Sequence, residues 1–323
     1  MTQRVYITRA VPDITQRILR QGLPGATISC NPEDRNLPES EITRNAAGCD
    51  ALLCTLADTI SRSLLQALSP KLRVVSTFAV GVNNIDLDAA RELGIAVCNT
   101  PGVLTDATAE IAVGLMLACA RRMAEGDILT RQGRFPGWSP LYMRGRGVYG
   151  KTVGIVGAGR IGKRVAATMR LCFDCRILYH ARSRHQDWEH ELGAQPRDLD
   201  ELLAESDFVS LHCPLTPETR HLLDARRLAM LRPHAVLVNT ARGPVIDEAA
   251  LVSALRKGLF FGAGLDVYEA EPALAPGLAE LPNTVLLPHL GSATVETRDE
   301  MGRMAAQAIV DVLTGQVPKH RVA

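Results

Sequence analysis

Aromatic residues are scarce. They fill 4% of 323 positions, too few for the stacked platforms that hold single-stranded nucleic acid. No sign of charge dominates either: 36 Lys and Arg face 35 Asp and Glu, a formal net charge of +1. The chain therefore has no global field for gripping nucleic acid or an anionic membrane. No run approaches the ~18 uninterrupted apolar residues of a membrane span. No basic-then-apolar leader precedes Arg4-Val5-Tyr6-Ile7, which already reads as a strand. These absences predict a cytoplasmic protein with neither a nucleic-acid nor a membrane partner. Paired cysteine motifs are also wanting. Most of the 8 cysteines stand singly in apolar runs, as small hydrophobes do. The one C-x-x-C, Cys172 and Cys175, lacks the second pair or Cys/His partner that a zinc site needs. It falls where a helix should end, so a structural role and no metal are expected.

Apolar residues make up 46% of the chain and charged residues 22%, the profile of a globular protein with a real core. The length suits about two domains at the usual ~100–200 residues each. Val5–Ile7, Ala51–Cys54, Arg73–Thr77 and Ile95–Cys98 are short apolar runs like buried parallel strands, with helical patterns such as Asp86–Leu93 between them. After the breaker cluster Asn99-Thr100-Pro101-Gly102, the spacing predicts one long buried helix from Thr105 to Arg131. Gly133–Gly150 is a long connection, which points to function or to contact with another chain. A second α/β series starts at Lys151, with strands predicted at Thr152–Val156, Arg176–Tyr179, Phe208–His212, Ala235–Asn239, Gly262–Asp266 and Thr284–Leu287. A long amphipathic helix from about Val295 to Leu313 closes the pattern. Both halves read as α/β units with parallel sheets.

Thr152-Val153-Gly154-Ile155-Val156-Gly157-Ala158-Gly159-Arg160-Ile161-Gly162 sets G-x-G-x-x-G between an apolar strand and an apolar-periodic helix. That context is what dinucleotide binding requires. Gly157 permits the tight turn, Gly159 lets the backbone approach a pyrophosphate, and Gly162 lets helix and strand pack closely. The helix N-terminus then offers free N–H groups to the phosphates. The next strand ends in His180-Ala181-Arg182-Ser183-Arg184. It lacks the carboxylate that would bind the ribose 2′-hydroxyl of NAD, and it carries two guanidinium groups suited to a 2′-phosphate. NADP(H) is the expected cofactor, and use of NAD(H) stays open.

Three later segments end strands of the same unit: Asn239-Thr240-Ala241-Arg242-Gly243, Leu265-Asp266-Val267-Tyr268-Glu269-Ala270-Glu271-Pro272, and Pro288-His289-Leu290-Gly291-Ser292-Ala293-Thr294. Ligands of open α/β sheets lie outside the carboxyl ends of strands. Hydride transfer to a keto acid needs an acid for the developing alkoxide, a cation for the carboxylate, and a group that keeps the acid protonated. His289 suits the first role, with a typical imidazole pKa of ~6.5. Arg242 suits the second, because it stays charged and binds bidentately. Glu271 suits the third, with Glu269 as its local competitor.

Together with the glycine loop, these segments resemble the D-isomer-specific 2-hydroxyacid dehydrogenase family. The likeness covers nearly the whole chain, with the glyoxylate/hydroxypyruvate reductase (2-ketogluconate reductase) branch nearest. The resemblance implies two Rossmann-like domains: a split flavodoxin-like substrate domain, residues 1–99 and 291–323, around an inserted dinucleotide-binding domain, residues 100–290. It implies Arg242, Glu271 and His289 as the catalytic trio, and so favours Glu271 over Glu269. It implies cofactor contacts from Thr108, Arg160, Ile161, Thr240, Ala241, Asp266 and Gly291, besides the glycines and Ala181–Arg184. Substrate contacts are implied for Leu56, Val80 and Gly81, the backbone of the last two taking the carboxylate. A homodimer is implied as well, through an arm near residues 120–148 whose Trp138 enters the partner's active site. NAD-dependent members carry an acid where Ala181 stands.

The expected function is NADPH-linked reduction of small 2-keto acids: glyoxylate, hydroxypyruvate, or 2-ketogluconate. Three other readings compete. An NAD-dependent phosphoglycerate-type dehydrogenase often carries a regulatory domain, for which the end at Ala323 leaves no room. A phosphite dehydrogenase would need a Lys where Val80 stands. A dinucleotide-sensing corepressor typically adds disordered interaction segments, and none of note is present.

Overall fold

The computed structural model describes residues Thr2–Ala323. The chain divides into two compact units, Met1–Leu104 with Thr294–Ala323, and Thr105–Ala293.

The first unit runs β1 (Arg4–Ile7), α1 (Asp13–Gly22), β2 (Thr27–Cys30), α2 (Glu39–Asn45), β3 (Ala51–Cys54), α3 (Arg62–Leu68), β4 (Val74–Thr77), α4 (Leu87–Glu92) and β5 (Ala96–Cys98). The C-terminal helix Val295–Leu313 completes it. Its sheet is parallel throughout, in the order β2-β1-β3-β4-β5, the flavodoxin-like doubly wound arrangement. Successive residues of a strand face opposite ways. Leu52 and Val75 accordingly pack with Ile42, Leu64 and Leu65 on one face. Leu53 and Val74 pack with Leu19 and Ile309 on the other. Burial on both faces is why these strands read as unbroken apolar runs. The run predicted from sequence omits β2. As the edge strand it alternates exposed and half-buried residues, so Thr27-Ile28-Ser29-Cys30 carries no such run.

The second unit runs α5 (Thr105–Ala120), α6 (Met123–Arg131), β6 (Thr152–Val156), α7 (Arg160–Phe173), β7 (Arg176–His180), α8 (Gln186–Leu192), β8 (Gln195–Pro196), α9 (Leu199–Glu205), β9 (Phe208–Leu211), α10 (Ala225–Leu228), β10 (Val236–Asn239), a 3-10 turn (Gly243–Val245), α11 (Glu248–Arg256), β11 (Gly262–Leu265) and β12 (Thr284–Leu286). This sheet is also parallel, ordered β12-β11-β10-β9-β6-β7-β8. The winding reverses between β6 and β9, and the Rossmann order places its ligand crevice at that point. Buried Ala112, Leu115, Met116 and Cys119 seat α5 against the sheet core.

One expectation is corrected here. The single helix predicted from Thr105 to Arg131 is two helices, broken at Arg122, whose φ is 54°. The Arg146 N–H donates to the Ala120 carbonyl at 2.7 Å, so a returning chain takes an acceptor that another helical turn would have used. Arg122 turns its guanidinium to Glu125, at 2.8 and 2.7 Å. Among the described residues, no helix is long and apolar enough to cross a membrane. All eight cysteines are free; Cys172 is exposed at the end of α7 and Cys175 is buried.

Candidate active site

The loop after β6 is shaped by sterics. At Gly157, φ is 102°, and an added Cβ would lie 2.5 Å from the Cys213 nitrogen. No side chain fits there. Gly162 is equally closed, with a Cβ position 2.4 Å from the Gly157 carbonyl oxygen. At Gly159 an added Cβ would meet nothing within 4 Å. That glycine stands at the N-cap of α7, where no side chain caps the helix. Arg160 and Ile161 follow in the first turn, whose uncapped N–H groups carry the helix's partial positive charge.

Beyond β7, Ala181, Arg182, Ser183 and Arg184 line an open pocket of about 800 Å³ with Tyr179, His180 and residues of the segment after β8. The two arginines differ. Arg184 is paired with Glu189, at 3.0 Å from Nε and 2.5 Å from Nη2. Glu189 also accepts the Tyr179 hydroxyl at 2.7 Å. Arg182 makes no ion pair among the described residues, though its charge helps the Thr216 hydroxyl hold the Glu218 carboxyl low.

Asn239, the last residue of β10, folds the next turn. Its side chain accepts from the Ala241 N–H at 3.0 Å and donates to the Arg242 carbonyl at 2.9 Å. Within that turn, the Thr240 hydroxyl is buried with no protein partner. Buried hydroxyls are normally satisfied, so this one marks where a ligand would sit. The Arg242 guanidinium donates to the Ala241 carbonyl at 2.7 Å. Burial lowers its pKa, and the charge of Glu271 opposes that. Gly243 then passes so close to the next loop that a Cβ would fall 1.9 Å from the Tyr268 carbonyl carbon.

That loop begins at Asp266, 1% exposed. Its carboxylate accepts the Leu290 N–H at 2.6 Å and the Gly291 N–H at 2.8 Å. Burial raises the Asp266 pKa, against the pull of those two donors. Thr108, on α5, donates to the Gly291 carbonyl at 2.9 Å. Thr108 and Asp266, expected from sequence to face a cofactor, therefore have polar groups committed to the turn that follows His289. His289 itself has φ 56°. Its Nδ1 donates to the Glu271 carboxylate at 2.9 Å, which leaves Nε2 outward. Glu271 also accepts the Tyr268 N–H at 3.1 Å. Burial pushes the Glu271 carboxyl up, but the His289 hydrogen bond and charge, the Tyr268 N–H and the Arg242 charge together hold it below its ordinary value. The competing Glu269 faces another histidine, His221, at 2.6 Å.

A cation, a half-buried imidazole and its carboxylate thus meet at the carboxyl edge of a dinucleotide-type sheet. The NAD-binding-domain model of D-isomer-specific 2-hydroxyacid dehydrogenases matches residues 113–291. The chain belongs to this family. The glyoxylate reductase of Thermococcus kodakarensis is 45% identical over 322 residues, spanning 98% of this chain and 95% of its own length. A solved putative D-isomer-specific 2-hydroxyacid dehydrogenase from Polaromonas sp. JS6 66 superposes with a TM-score of 0.92 at 39% identity, covering 100% of both chains. An NADPH-dependent glyoxylate/hydroxypyruvate reductase from Sinorhizobium meliloti, solved with NADP and malonate, gives 0.87 at 31%, covering 100% of this chain and 97% of its own. Like other D-2-hydroxyacid dehydrogenases, this protein is an NAD(P)-dependent oxidoreductase of the 2-keto and 2-hydroxy acid class.

The expected substrate residues Leu56, Val80 and Gly81 of this dehydrogenase lie in the first unit. Leu56 is exposed on the loop after β3. Val80 and Gly81 follow β4, and their N–H groups make no hydrogen bond among the described residues. The Val80 carbonyl is tied by Asn99 Nδ2 at 2.8 Å. Motif reading missed Glu189 and His221. Each acts on a partner set by folding, and no signature includes them.

The two glycines separate binding from folding. Gly157→Ala should lower the thermal midpoint by about 4 °C or more, at roughly 2–4 °C per kcal/mol for this size. Gly159→Ala should leave the midpoint unchanged and weaken dinucleotide binding about tenfold or more, the loss of one hydrogen bond to a charged group. Calorimetry and cofactor titration check both; equal destabilisation by the two variants would contradict the assignment.

Proposed function

We propose that the protein is an NADPH-preferring reductase of small 2-keto acids, with glyoxylate and hydroxypyruvate as substrates and 2-ketogluconate as a further one. The observation that carries this reading is the His289–Glu271 pair at 2.9 Å beside the half-buried Arg242. The residues fit a dinucleotide: open space at Gly159, uncapped N–H groups on α7, and the unpartnered Thr240 hydroxyl. When bound, the reduced nicotinamide supplies the hydride. Arg242 holds the substrate carboxylate and polarises the carbonyl. As the carbonyl carbon accepts the hydride, the C=O electron pair takes the proton from His289 Nε2. Glu271 fixes the ring through Nδ1 and balances its charge. The neutral imidazole is then reprotonated from water. Val80 and Gly81 offer N–H groups to a carboxylate.

The preference for NADPH rests on Ala181, where NAD-dependent relatives carry an acid, and on the unpaired Arg182 with Ser183. Arg184, committed to Glu189, contributes less than the sequence suggested. The Sinorhizobium meliloti relative, solved with NADP, uses NADPH. A panel of the three keto acids, followed by reduced-nicotinamide absorbance, tests the reading. NADPH should exceed NADH in kcat/KM by about tenfold or more, and Arg182→Ala should remove most of that preference, one charge-assisted contact. Equal rates with both cofactors would overturn it.

Homodimerisation belongs to the same proposal. Trp138 is 85% exposed and Leu141 and Tyr149 are each 71% exposed, more apolar surface on one segment than a monomer usually shows. Sedimentation velocity should give a dimer, and Trp138→Ala should raise the KM of the keto acid if the arm serves a partner's site. A monomer with full activity would contradict both.

A further inference from the structure

Glu269 and Glu271 stand two residues apart on one loop, and each is paired with its own histidine. The His289–Glu271 pair enters the proposed chemistry. The His221–Glu269 pair does not, yet its connections reach both catalytic segments.

His221 precedes α10. Its backbone N–H donates to the Pro244 carbonyl at 2.8 Å, two residues after Arg242. The Leu223 N–H donates to the Val245 carbonyl at 3.1 Å, extending that seam. The side chain turns the other way: Nε2–H donates to Glu269 at 2.6 Å, two residues before Glu271. Glu269 is clamped in turn by Glu248, at the start of α11. The Glu248 N–H donates to the Glu269 carboxylate at 3.2 Å, and the Glu269 N–H donates to the Glu248 carboxylate at 2.7 Å. Glu248 is 4% exposed. Between these ties, Gly243 and the Tyr268 backbone touch with no room for a Cβ. The Arg242 turn and the Glu271 loop are thus pressed together, and His221 bonds to both.

The backbone at His221 sharpens the point. Its φ is 49°, a left-handed conformation that glycine or asparagine adopts more easily. A histidine held there incurs local strain.

We propose that His221 is a positioning residue for the reaction. It joins the Arg242 turn to the Glu269–Glu271 loop, so that the carboxylate-binding cation and the partner of the proton donor keep one geometry. The inference rests on the roles proposed above for Arg242, Glu271 and His289. An ordinary exposed ion pair would leave the kinetics unchanged.

His221→Gly and His221→Gln form the test. Glycine relieves the backbone and removes the tie, so the thermal midpoint should hold or rise. The kcat/KM for glyoxylate should nevertheless fall about 10- to 100-fold, the cost of misplacing catalytic groups by a fraction of an ångström to an ångström. Both parameters should move, KM for the keto acid upward and kcat downward, with KM for NADPH unchanged. Glutamine can place a donor near the Nε2 position and should restore most of the loss. Wild-type kcat/KM in His221→Gly, or an equal fall in both variants, would overturn the proposal. A crystal structure of His221→Gly supplies an arm independent of turnover. Glu269–Glu271 should shift relative to Arg242, and unmoved loops would overturn the proposal whatever the substrate proves to be. A wild-type protein that reduces no 2-keto acid would defeat the catalytic reading and leave the structural arm to decide this one.

Discussion

The buried carboxylate of Asp266 is the constraint on which the site depends. A carboxylate 1% exposed is costly unless its oxygens are satisfied. Here both oxygens are taken by consecutive backbone N–H groups, Leu290 and Gly291. Thr108 secures the carbonyl of the same glycine. Three hydrogen bonds from two elements therefore define the turn that holds His289 at positive φ. With the backbone so held, His289 Nδ1 reaches Glu271 and Nε2 points away. The same loop that begins at Asp266 ends at Glu271, so one short segment both places the imidazole and supplies its partner.

The two sheets share one plan and differ in what fills it. Each reverses its winding at the carboxyl edge, between β1 and β3 in the first unit and between β6 and β9 in the second. In the second unit glycines keep that edge open: Gly157 lies against Cys213 after β9, and Gly159 borders free space. In the first unit a polar cluster ties the loops together. Asp58, 3% exposed, accepts from the Thr8 hydroxyl at 2.6 Å and the Thr55 N–H at 2.7 Å. Asn84 donates to the Thr55 and Asp58 carbonyls at 3.0 and 2.8 Å. Loop 55–58 and the segment after β4 are stiffened by that cluster. The same topology thus carries a glycine loop at the switch point of one unit and a hydrogen-bonded polar cluster in the other.

Much of this was legible in the sequence. The strands of both cores were readable because parallel strands are apolar on both faces, and β3 and β6 came out with their observed ends. The C-terminal helix did too. The edge strands β5 and β12 were readable from their apolar residues, but β2 and β8 were not: β2 alternates exposed and half-buried positions, and β8 is only Gln195–Pro196. The break at Arg122 was hidden because its cause, Arg146, lies 24 residues on, beyond any periodicity. The residue types of the proposed trio, Arg242, Glu271 and His289, pointed to cation, carboxylate and acid. The residues alone left Glu269 and Glu271 as competitors, and the family resemblance favoured Glu271; the fold gives each its own partner, His289 for Glu271 and His221 for Glu269. Arg182 and Arg184 looked alike for the same reason, until Glu189 was seen to occupy one of them.

In the proposed reaction His289 gives the proton to the keto-acid oxygen while the rest of the site binds and orients. His289→Ala, assayed for glyoxylate reduction and titrated with NADPH by fluorescence, tests it most directly. The kcat should fall about 10²- to 10⁴-fold, the usual share of a general acid, with NADPH affinity unchanged. A kcat close to wild type would contradict it.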